Sequence, residues 1–182
     1  MIELAFFVGA TAALIYVSRN SLRSPIAHGF YRFFAWECTL VLFLLNVRHW
    51  FDNAFSLQQI VSWALLVISL VLVLPAANRL RRGGKASEER RDERLLAFEK
   101  TTVLVTDGLY HYIRHPLYSS LLFLDWGIFF KDPSFLGLLL AIVATVFLVA
   151  TARLEEQEDI RYFGEAYRDY MKRTKMFVPF VI

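Results

Sequence analysis

Apolar residues fall in five long runs along the chain, at residues 2–17, 30–47, 55–77, 117–130 and 135–152. Continuous runs of this length, without a period of two or of 3.6 residues, are typical of helices that cross a lipid bilayer. The third run would form a helix of about 34 Å, which is long enough to span the hydrocarbon core. The pattern therefore predicts an all-α polytopic membrane protein with about five transmembrane helices.

The last two runs are separated only by a short polar break that includes Lys131, Asp132 and Pro133. So short a break predicts a helical hairpin, with the break near one membrane interface and both outer ends of the hairpin at the other. The first limb of this hairpin is short, at roughly 22 Å of helix.

Composition supports the membrane assignment. The sequence has 182 residues, of which 57% are hydrophobic, and its mean hydropathy is +0.43. Soluble domains are usually about 45–50% apolar. The single cysteine, Cys38, excludes a disulfide and a cysteine-based metal site and is expected to be a small buried side chain.

Charge predicts the orientation. The net charge is only +3, but basic residues are concentrated at 78–100 and 153–175, while Arg19, Arg23 and Arg32 mark the connection between the first two runs. The positive-inside rule places both basic stretches in the cytoplasm, with the N-terminus outside and the C-terminus cytoplasmic. Topology and attraction to anionic headgroups account for both stretches, and no nucleic-acid partner is expected.

We expect a single integral membrane domain over residues 1–182. Within it, residues 1–77 would form three spans and residues 78–114 a cytoplasmic basic loop that ends in a polar segment. Residues 115–153 would form the helical hairpin, and residues 154–182 a cytoplasmic helix and tail.

A polar cluster lies at residues 107–120, DGLYHYIRHPLYSS, at the start of the fourth run. Arginine and histidine at the mouth of a membrane helix are costly unless they are paired or used, so the cluster is a candidate functional site. Pro116 suits the first turn of a helix, and a residue before proline avoids helical geometry. The loop is therefore expected to end at His115.

A second polar motif, RLEEQED at residues 153–159, follows the last run without a helix breaker. It predicts one continuous helix that runs on to about Gly164. Its acids could face the cation-rich loop and bind a positively charged ligand, or they could form a solvated helical face. Tyr167 and Tyr170 are three residues apart and share a helix face, which amphipathic docking on the membrane would also explain.

Together the two motifs, RHPLY and RLEEQED…YFGEAYRDY, resemble the isoprenylcysteine carboxyl methyltransferases and the related phospholipid methyltransferases, which are integral membrane enzymes that use S-adenosyl-L-methionine. The resemblance covers about residues 98–182. The first motif matches at Leu104, Val105, Thr106, Gly108, Tyr110, Arg114, His115, Pro116 and Tyr118. The second matches at Glu155, Glu156, Phe163, Gly164, Tyr167, Tyr170 and Pro179. Ser120, Asp159 and residues 173–175 depart from the family pattern, which leaves the identity of the substrate in doubt.

The resemblance implies a site and its ligands. The implied catalytic residues are Arg114, Tyr118 and Glu156. The implied cofactor-binding residues are Leu104, Val105, Thr106, Gly108, Leu109, Tyr110, His111, His115, Pro116, Tyr118, Glu155 and Glu156. No metal is implied. The acceptor would be a lipid or lipid-like molecule from the bilayer, such as a prenylated-cysteine carboxylate or a phospholipid amine, methylated at the cytoplasmic interface.

Several alternatives stay open. Residue His115 could be a structural cap of the hairpin, and Arg114 could anchor to phosphate headgroups. The intramembrane acids Glu37 and Asp125 could line a substrate tunnel or hydrogen-bond between helices. A membrane reductase of the sterol-reductase kind is the rival enzyme class, but the 2′-phosphate of NADPH needs cations where this chain has Glu155 and Glu156. A non-catalytic scaffold is the third possibility.

Overall fold

The computed structural model describes residues 1–85, 95–96 and 99–179. Within these ranges the chain forms helices and no strand, which confirms the all-α prediction. The helices are α1 (Ile2–Leu22), α2 (His28–Asn46), α3 (Leu57–Gly83), α4 (Pro116–Phe129), α5 (Phe135–Phe163) and α6 (Glu165–Arg173), with 3-10 turns at Val47–His49 and Gly108–His111. Much of the predicted basic loop, at 86–94 and 97–98, and the last residues of the predicted tail, 180–182, lie outside the described residues.

Four helices of the described chain are long and apolar enough to cross a membrane: α1, α2 with its 3-10 extension, α3 and α5. They make this an integral membrane protein. Helix α4 has only 14 residues, about 21 Å at the α-helical rise, and is the short limb of the expected hairpin. The count of five crossings stays a prediction.

Local sequence sets the helix ends. The Ser56 and Ser134 hydroxyls cap α3 and α5 by accepting hydrogen bonds from the backbone N–H groups three residues on. Pro116 is in the first turn of α4, where its missing N–H costs nothing. Helix α5 continues to Phe163 and ends at Gly164, whose φ of 62° favours glycine. The predicted continuous helix is therefore confirmed.

Each limb of the hairpin packs mainly against an N-terminal helix, α5 on α2 and α4 on α3, while α1 packs on α2. Helices α3 and α4 approach closely because Gly127 has no side chain: a Cβ there would lie 2.9 Å from the Leu66 side chain. Two serines of α3 also bond across this contact, Ser62 to the Gly127 carbonyl and Ser69 to the Ser120 carbonyl, each at 2.7 Å. Small residues and hydroxyl bonds are typical of membrane helix packing.

The hairpin turn is anchored to the start of α3. Lys131 is 2% exposed, and its ammonium group donates to the Gln59 side chain at 3.0 Å and lies 3.5 Å from the Trp63 ring centroid. The Gln58 and Gln59 amides donate to the Lys131 carbonyl, each at 3.1 Å. The turn therefore lies at the opposite end of the helices from the polar loop that begins α4.

Candidate functional site

The polar loop, defined here as residues 107–115, leads directly into α4. It contains the 3-10 turn Gly108–His111, and Gly108 has a φ of 62° that a side chain would strain. His115 is the N-cap of α4, with non-helical φ and ψ of −120° and 60°. The loop thus ends where the sequence predicts, because Pro116 disfavours helical geometry in the residue before it.

The chain beyond α6 pairs with the polar loop as a short parallel bridge between Ile113 and Lys175. The Lys175 N–H donates to the Tyr112 carbonyl at 3.0 Å, and the Arg114 N–H donates to the Lys175 carbonyl at 2.8 Å. The His115 N–H donates to the carbonyl of residue 176 at 3.1 Å. Backbone of the tail therefore fixes the path of the loop, which leaves its side chains to form the site.

Arg114 connects three parts of the chain. Its Nε donates to Glu156 Oε1 of α5 at 2.6 Å. Its Nη1 donates to the Thr174 carbonyl at 2.5 Å and to the Met171 carbonyl at 3.4 Å. The Arg114 and Glu156 side chains are each 9% exposed, so this is a buried, charge-assisted contact. It holds the loop against α5 and the end of α6.

His115 lies between two carboxylates. Its Nδ1 is 3.5 Å from Glu155 Oε2 and its Nε2 is 3.4 Å from Glu156 Oε1. Its ring stacks on Tyr118, with centroids 5.5 Å apart. Burial alone would lower the pKa of His115, but attraction to Glu155 and Glu156 outweighs burial and raises the pKa to about 9. The residue is therefore an imidazolium at neutral pH, with two N–H donors.

Two polar atoms at this point have no hydrogen-bond partner among the described residues: His115 Nε2 and Glu155 Oε2. Both atoms are buried, and a buried polar atom that is not hydrogen-bonded is costly. One is a donor and the other an acceptor. A ligand that offers a complementary group to each would remove that cost.

A cavity opens beside these atoms, with about 950 Å³ of space including its mouth. The polar residues expected in the site that line it are Tyr110, Arg114, His115, Tyr118 and Glu155. The apolar ones are Leu104, Val105 and Pro116. The structure thus brings the loop and the start of α4 together with the acidic part of α5.

Other expected site residues do not line the cavity: Thr106, Gly108, Leu109, His111 and Glu156. Glu156 contacts Arg114 and His115 instead, so it acts on the cavity through these two side chains. Asp107, at the start of the loop, forms an ion pair with Arg79 at the end of α3. That pair fixes the loop to the third helix.

Helix α2 contributes cavity residues that the sequence analysis missed: His28, Arg32 and Trp36. The sequence predicts Arg32 only as a marker of topology. The signal that could have found them is their spacing, because residues four apart share a helix face and polar groups within a membrane helix point to a site.

Ion pairs join this face of α2 to the rest of the site. His28 Nδ1 lies 2.7 Å from Glu158 Oε2 of α5, and its Nε2 lies 3.5 Å from Glu99 Oε2. Arg32 forms an ion pair with Glu99, which also lines the cavity. The cavity is therefore bordered by alternating cationic and anionic groups from α2, α5 and the chain before the polar loop.

The two intramembrane acids lie away from the cavity. Glu37 accepts a hydrogen bond from Thr11 of α1 at 2.9 Å, which fits a contact between helices. Asp125 is fully buried, and neither of its oxygens has a hydrogen-bond partner among the described residues. Within the same ranges, no three His, Cys, Asp or Glu side chains are grouped to hold a metal ion.

Fold and site define an integral membrane protein with a cavity of charged residues at one end of its helices. The sequence model of the phospholipid methyltransferase family matches residues 57–169, so the chain belongs to that family. The matched residues include helices α3 to α5, the polar loop and the acidic stretch of α5.

Curated relatives agree with this family. The chain is 32% identical over 74 residues to methanethiol S-methyltransferase of Pseudomonas deceptionensis, a match that covers 41% of this chain and 28% of the relative. It is 31% identical over 83 residues to protein-S-isoprenylcysteine O-methyltransferase of Schizosaccharomyces pombe, covering 45% of this chain and 35% of the relative. The chain thus spans about a third of the relatives' length. No solved structure matches it. Family and relatives together support a membrane methyltransferase.

Proposed function

We propose that the protein transfers a methyl group from S-adenosyl-L-methionine to a lipid or lipid-like acceptor. The observation that carries this proposal is the cavity between the polar loop and α5, with a buried donor at His115 and a buried acceptor at Glu155 that have no hydrogen-bond partner in the described chain. These two atoms complement a zwitterionic amino-acid group. The family and its relatives' names supply the reaction class.

The bound cofactor would supply a methyl group on a cationic sulfonium. His115 would bind its carboxylate, because His111 does not line the cavity and Nε and Nη1 of Arg114 already donate within the protein. Glu155 would accept hydrogen bonds from its amine or ribose hydroxyls, and Glu156 would act as the partner that keeps Arg114 and His115 in place. Backbone N–H groups of residues 104–109 would meet the adenine edge. Tyr118, stacked on His115, would form the wall beside the reacting groups.

Three carboxylates of the cavity could face a cationic group of the ligand. Glu99, Glu155 and Asp159 all line it, and oriented carboxylates in a poorly hydrated site stabilise a positive sulfonium more strongly than water would. An enzyme that catalyses an in-line displacement mainly positions its reactants, which suits the rigid loop described above. Glu155 and Asp159 would repel the 2′-phosphate of NADPH placed beside them, and titration of NADPH tests the reductase alternative.

Part of the cavity lining is apolar. Leu80 of α3, Leu117 and Leu121 of α4, and Trp36 of α2 line it, and all four belong to membrane helices or their first turns. An apolar wall of this kind suits a lipid or prenyl chain that enters from the bilayer. Basic residues occur in the last turns of α3 and α6, which by the positive-inside rule supports a site at the cytoplasmic interface.

Calorimetry of the detergent-purified protein tests the proposal, with S-adenosylhomocysteine and NADPH titrated in parallel. We expect S-adenosylhomocysteine to bind and NADPH not to bind. Binding of NADPH alone would make the reductase alternative correct. If His115→Ala and Glu156→Ala both left S-adenosylhomocysteine binding intact, the cofactor site would lie elsewhere.

A further inference from the structure

Arg32 is a buried cation whose hydrogen-bonding capacity is only partly used. It is 1% exposed, lines the cavity and forms an ion pair with Glu99 through Nη1. Its other two nitrogens, Nε and Nη2, have no hydrogen-bond partner among the described residues. A guanidinium presents donors in a planar fork that fits an anion. Arg32 therefore retains donors for a second anionic group.

The other arginine of the cavity is differently placed. Arg114 donates from Nε to Glu156 and from Nη1 to two backbone carbonyls. These contacts hold the polar loop and the tail together, so Arg114 could bind a ligand through them only by breaking the loop. Among the described contacts, the Arg32 side chain donates no hydrogen bond to a backbone carbonyl. Of the two, Arg32 is the one with two buried nitrogens that have no hydrogen-bond partner among the described residues.

The surroundings of Arg32 also fit a methyl acceptor. The Arg32 guanidinium carbon lies 4.8 Å from the Trp36 ring centroid, and both residues come from a membrane helix. Its existing ion pair with Glu99 shows that a carboxylate fits against this guanidinium. An acceptor with an apolar chain could place its chain along the wall near Trp36 and its anionic head at Arg32.

We infer that Arg32 binds the anionic reacting group of the methyl acceptor, a carboxylate or a thiolate, and selects against an amine acceptor. This inference rests on the proposed function and narrows its substrate class. A guanidinium attracts an anionic nucleophile and repels a protonated amine. Arg32 would then be a specificity-determining residue supplied by α2, outside the two motifs of the C-terminal half.

Once the acceptor is an anion, the reaction balances without an added base. The lone pair of the carboxylate oxygen or thiolate sulfur forms the new bond to the methyl carbon. The bond between that carbon and the sulfonium sulfur breaks, and its electron pair stays on sulfur, which becomes a neutral thioether. The products are a methyl ester or a methyl thioether. A carboxylate acceptor releases no proton, whereas a thiol acceptor must first lose its proton to solvent to give the thiolate. Methylation of an ammonium group would need a base to remove a proton first.

The test uses the full chain in lipid nanodiscs with tritiated S-adenosyl-L-methionine. Three acceptors are compared: N-acetyl-S-farnesylcysteine as the carboxylate, dodecanethiol as the thiol and phosphatidylethanolamine as the amine. We expect methylation of the carboxylate or of the thiol, and the product, ester or thioether, identifies which. Methylation of phosphatidylethanolamine, or of none of the three, overturns the inference.

The variant arm replaces the ion pair as a unit. Arg32→Gln combined with Glu99→Gln leaves neither charge unpaired, whereas Arg32→Gln alone would strand a buried carboxylate. We expect KM for the anionic acceptor to rise about tenfold or more, as for the loss of a charged hydrogen bond. The Kd of S-adenosylhomocysteine, which lacks the sulfonium charge that Glu99 would face, should change by less than this KM. An unchanged KM overturns the inference. Arg48→Gln, which removes an exposed pair with Glu3, is the control and should change neither.

A second arm needs no variant. In the wild-type protein, N-acetyl-S-farnesylcysteine should compete for the acceptor site with an inhibition constant at least about tenfold lower than that of its carboxamide. The carboxamide has the same chain without the charge. Equal competition would overturn the inference. Failure of the proposed function would look different, because S-adenosylhomocysteine would then not bind to any form of the protein.

Discussion

His115 couples the site to pH. Contacts with Glu155 and Glu156 outweigh the effect of burial and raise the pKa of His115 to about 9. The pKa of a histidine in an unfolded chain is about 6.5. A group whose pKa is raised by folding contributes stability that is fully present below the unfolded pKa. That contribution is lost as the pH rises through the folded pKa. The relevant window therefore runs from about pH 6.5 to about pH 9.

We expect the free energy of unfolding to fall by up to about 3 kcal/mol across this window, since each pKa unit corresponds to about 1.36 kcal/mol. Thermal unfolding of the detergent-purified protein at a series of pH values measures it. His115→Gln should flatten the pH dependence. His111→Gln, which changes an exposed histidine of the same loop, should keep it. Equal slopes in wild type and His115→Gln would contradict this account of His115.

The pair of Arg114 and Glu156 is the buried link between the loop, α5 and the tail. Breaking a buried ion pair on one side strands a charge, so Arg114→Gln should cost about 3 kcal/mol or more. Arg48→Gln, which breaks the exposed pair with Glu3, should cost at most about 1 kcal/mol. Thermal or denaturant unfolding compares the two variants. Similar costs would show that the Arg114 contact is not a structural link.

The contact between α3 and α4 depends on Gly127. An added Cβ would lie 2.9 Å from the Leu66 side chain and 3.2 Å from the Leu66 backbone nitrogen. Gly127→Ala should therefore force the two helices apart and cost about 1–3 kcal/mol. Gly9→Ala is the matched control, because nothing lies within 4 Å of a Cβ there. Melting temperatures in detergent decide: equal values for the two variants would rule out close packing at Gly127.

The sequence predicts the helices of this protein better than it predicts the contacts between them. The apolar runs predict the helices, and Pro116 and Gly164 predict the start of α4 and the end of α5, because these signals are local. The bridge between Ile113 and Lys175 could not be predicted, since backbone pairing across so much chain depends on how α5 and α6 return. The tail carries no strand pattern of its own.

The candidate site was likewise visible only in part. His115 and Glu155 stood out because they lie in dense polar motifs. Arg32 and His28 did not, because a single cation near the start of an apolar run is equally consistent with a topology signal. Their place in the cavity follows from the packing of α2 on α5, which the sequence does not specify. Which of the two acids lines the cavity, Glu155, and which contacts Arg114, Glu156, depends on the rotation of α5 about its axis, which the sequence does not specify.

The charge distribution predicts the orientation of the whole molecule, and this prediction can be measured directly. In a Cys38→Ser background, Glu165→Cys places a thiol at the start of α6 and Asp132→Cys places one at the hairpin turn; both positions are exposed. A membrane-impermeant maleimide on intact cells should label Asp132→Cys and should label Glu165→Cys only after permeabilisation. The reverse pattern would place the cavity outside the cytoplasm.

The central claim is that the cavity between the polar loop and α5 binds the methyl donor. Calorimetric affinity for S-adenosylhomocysteine tests it, with Glu155→Gln as the cavity variant and Glu165→Gln, which changes an exposed acid of α6, as the control. Loss of a charged acceptor should weaken binding about tenfold or more in Glu155→Gln and leave Glu165→Gln like wild type. Wild-type affinity in Glu155→Gln would contradict the claim.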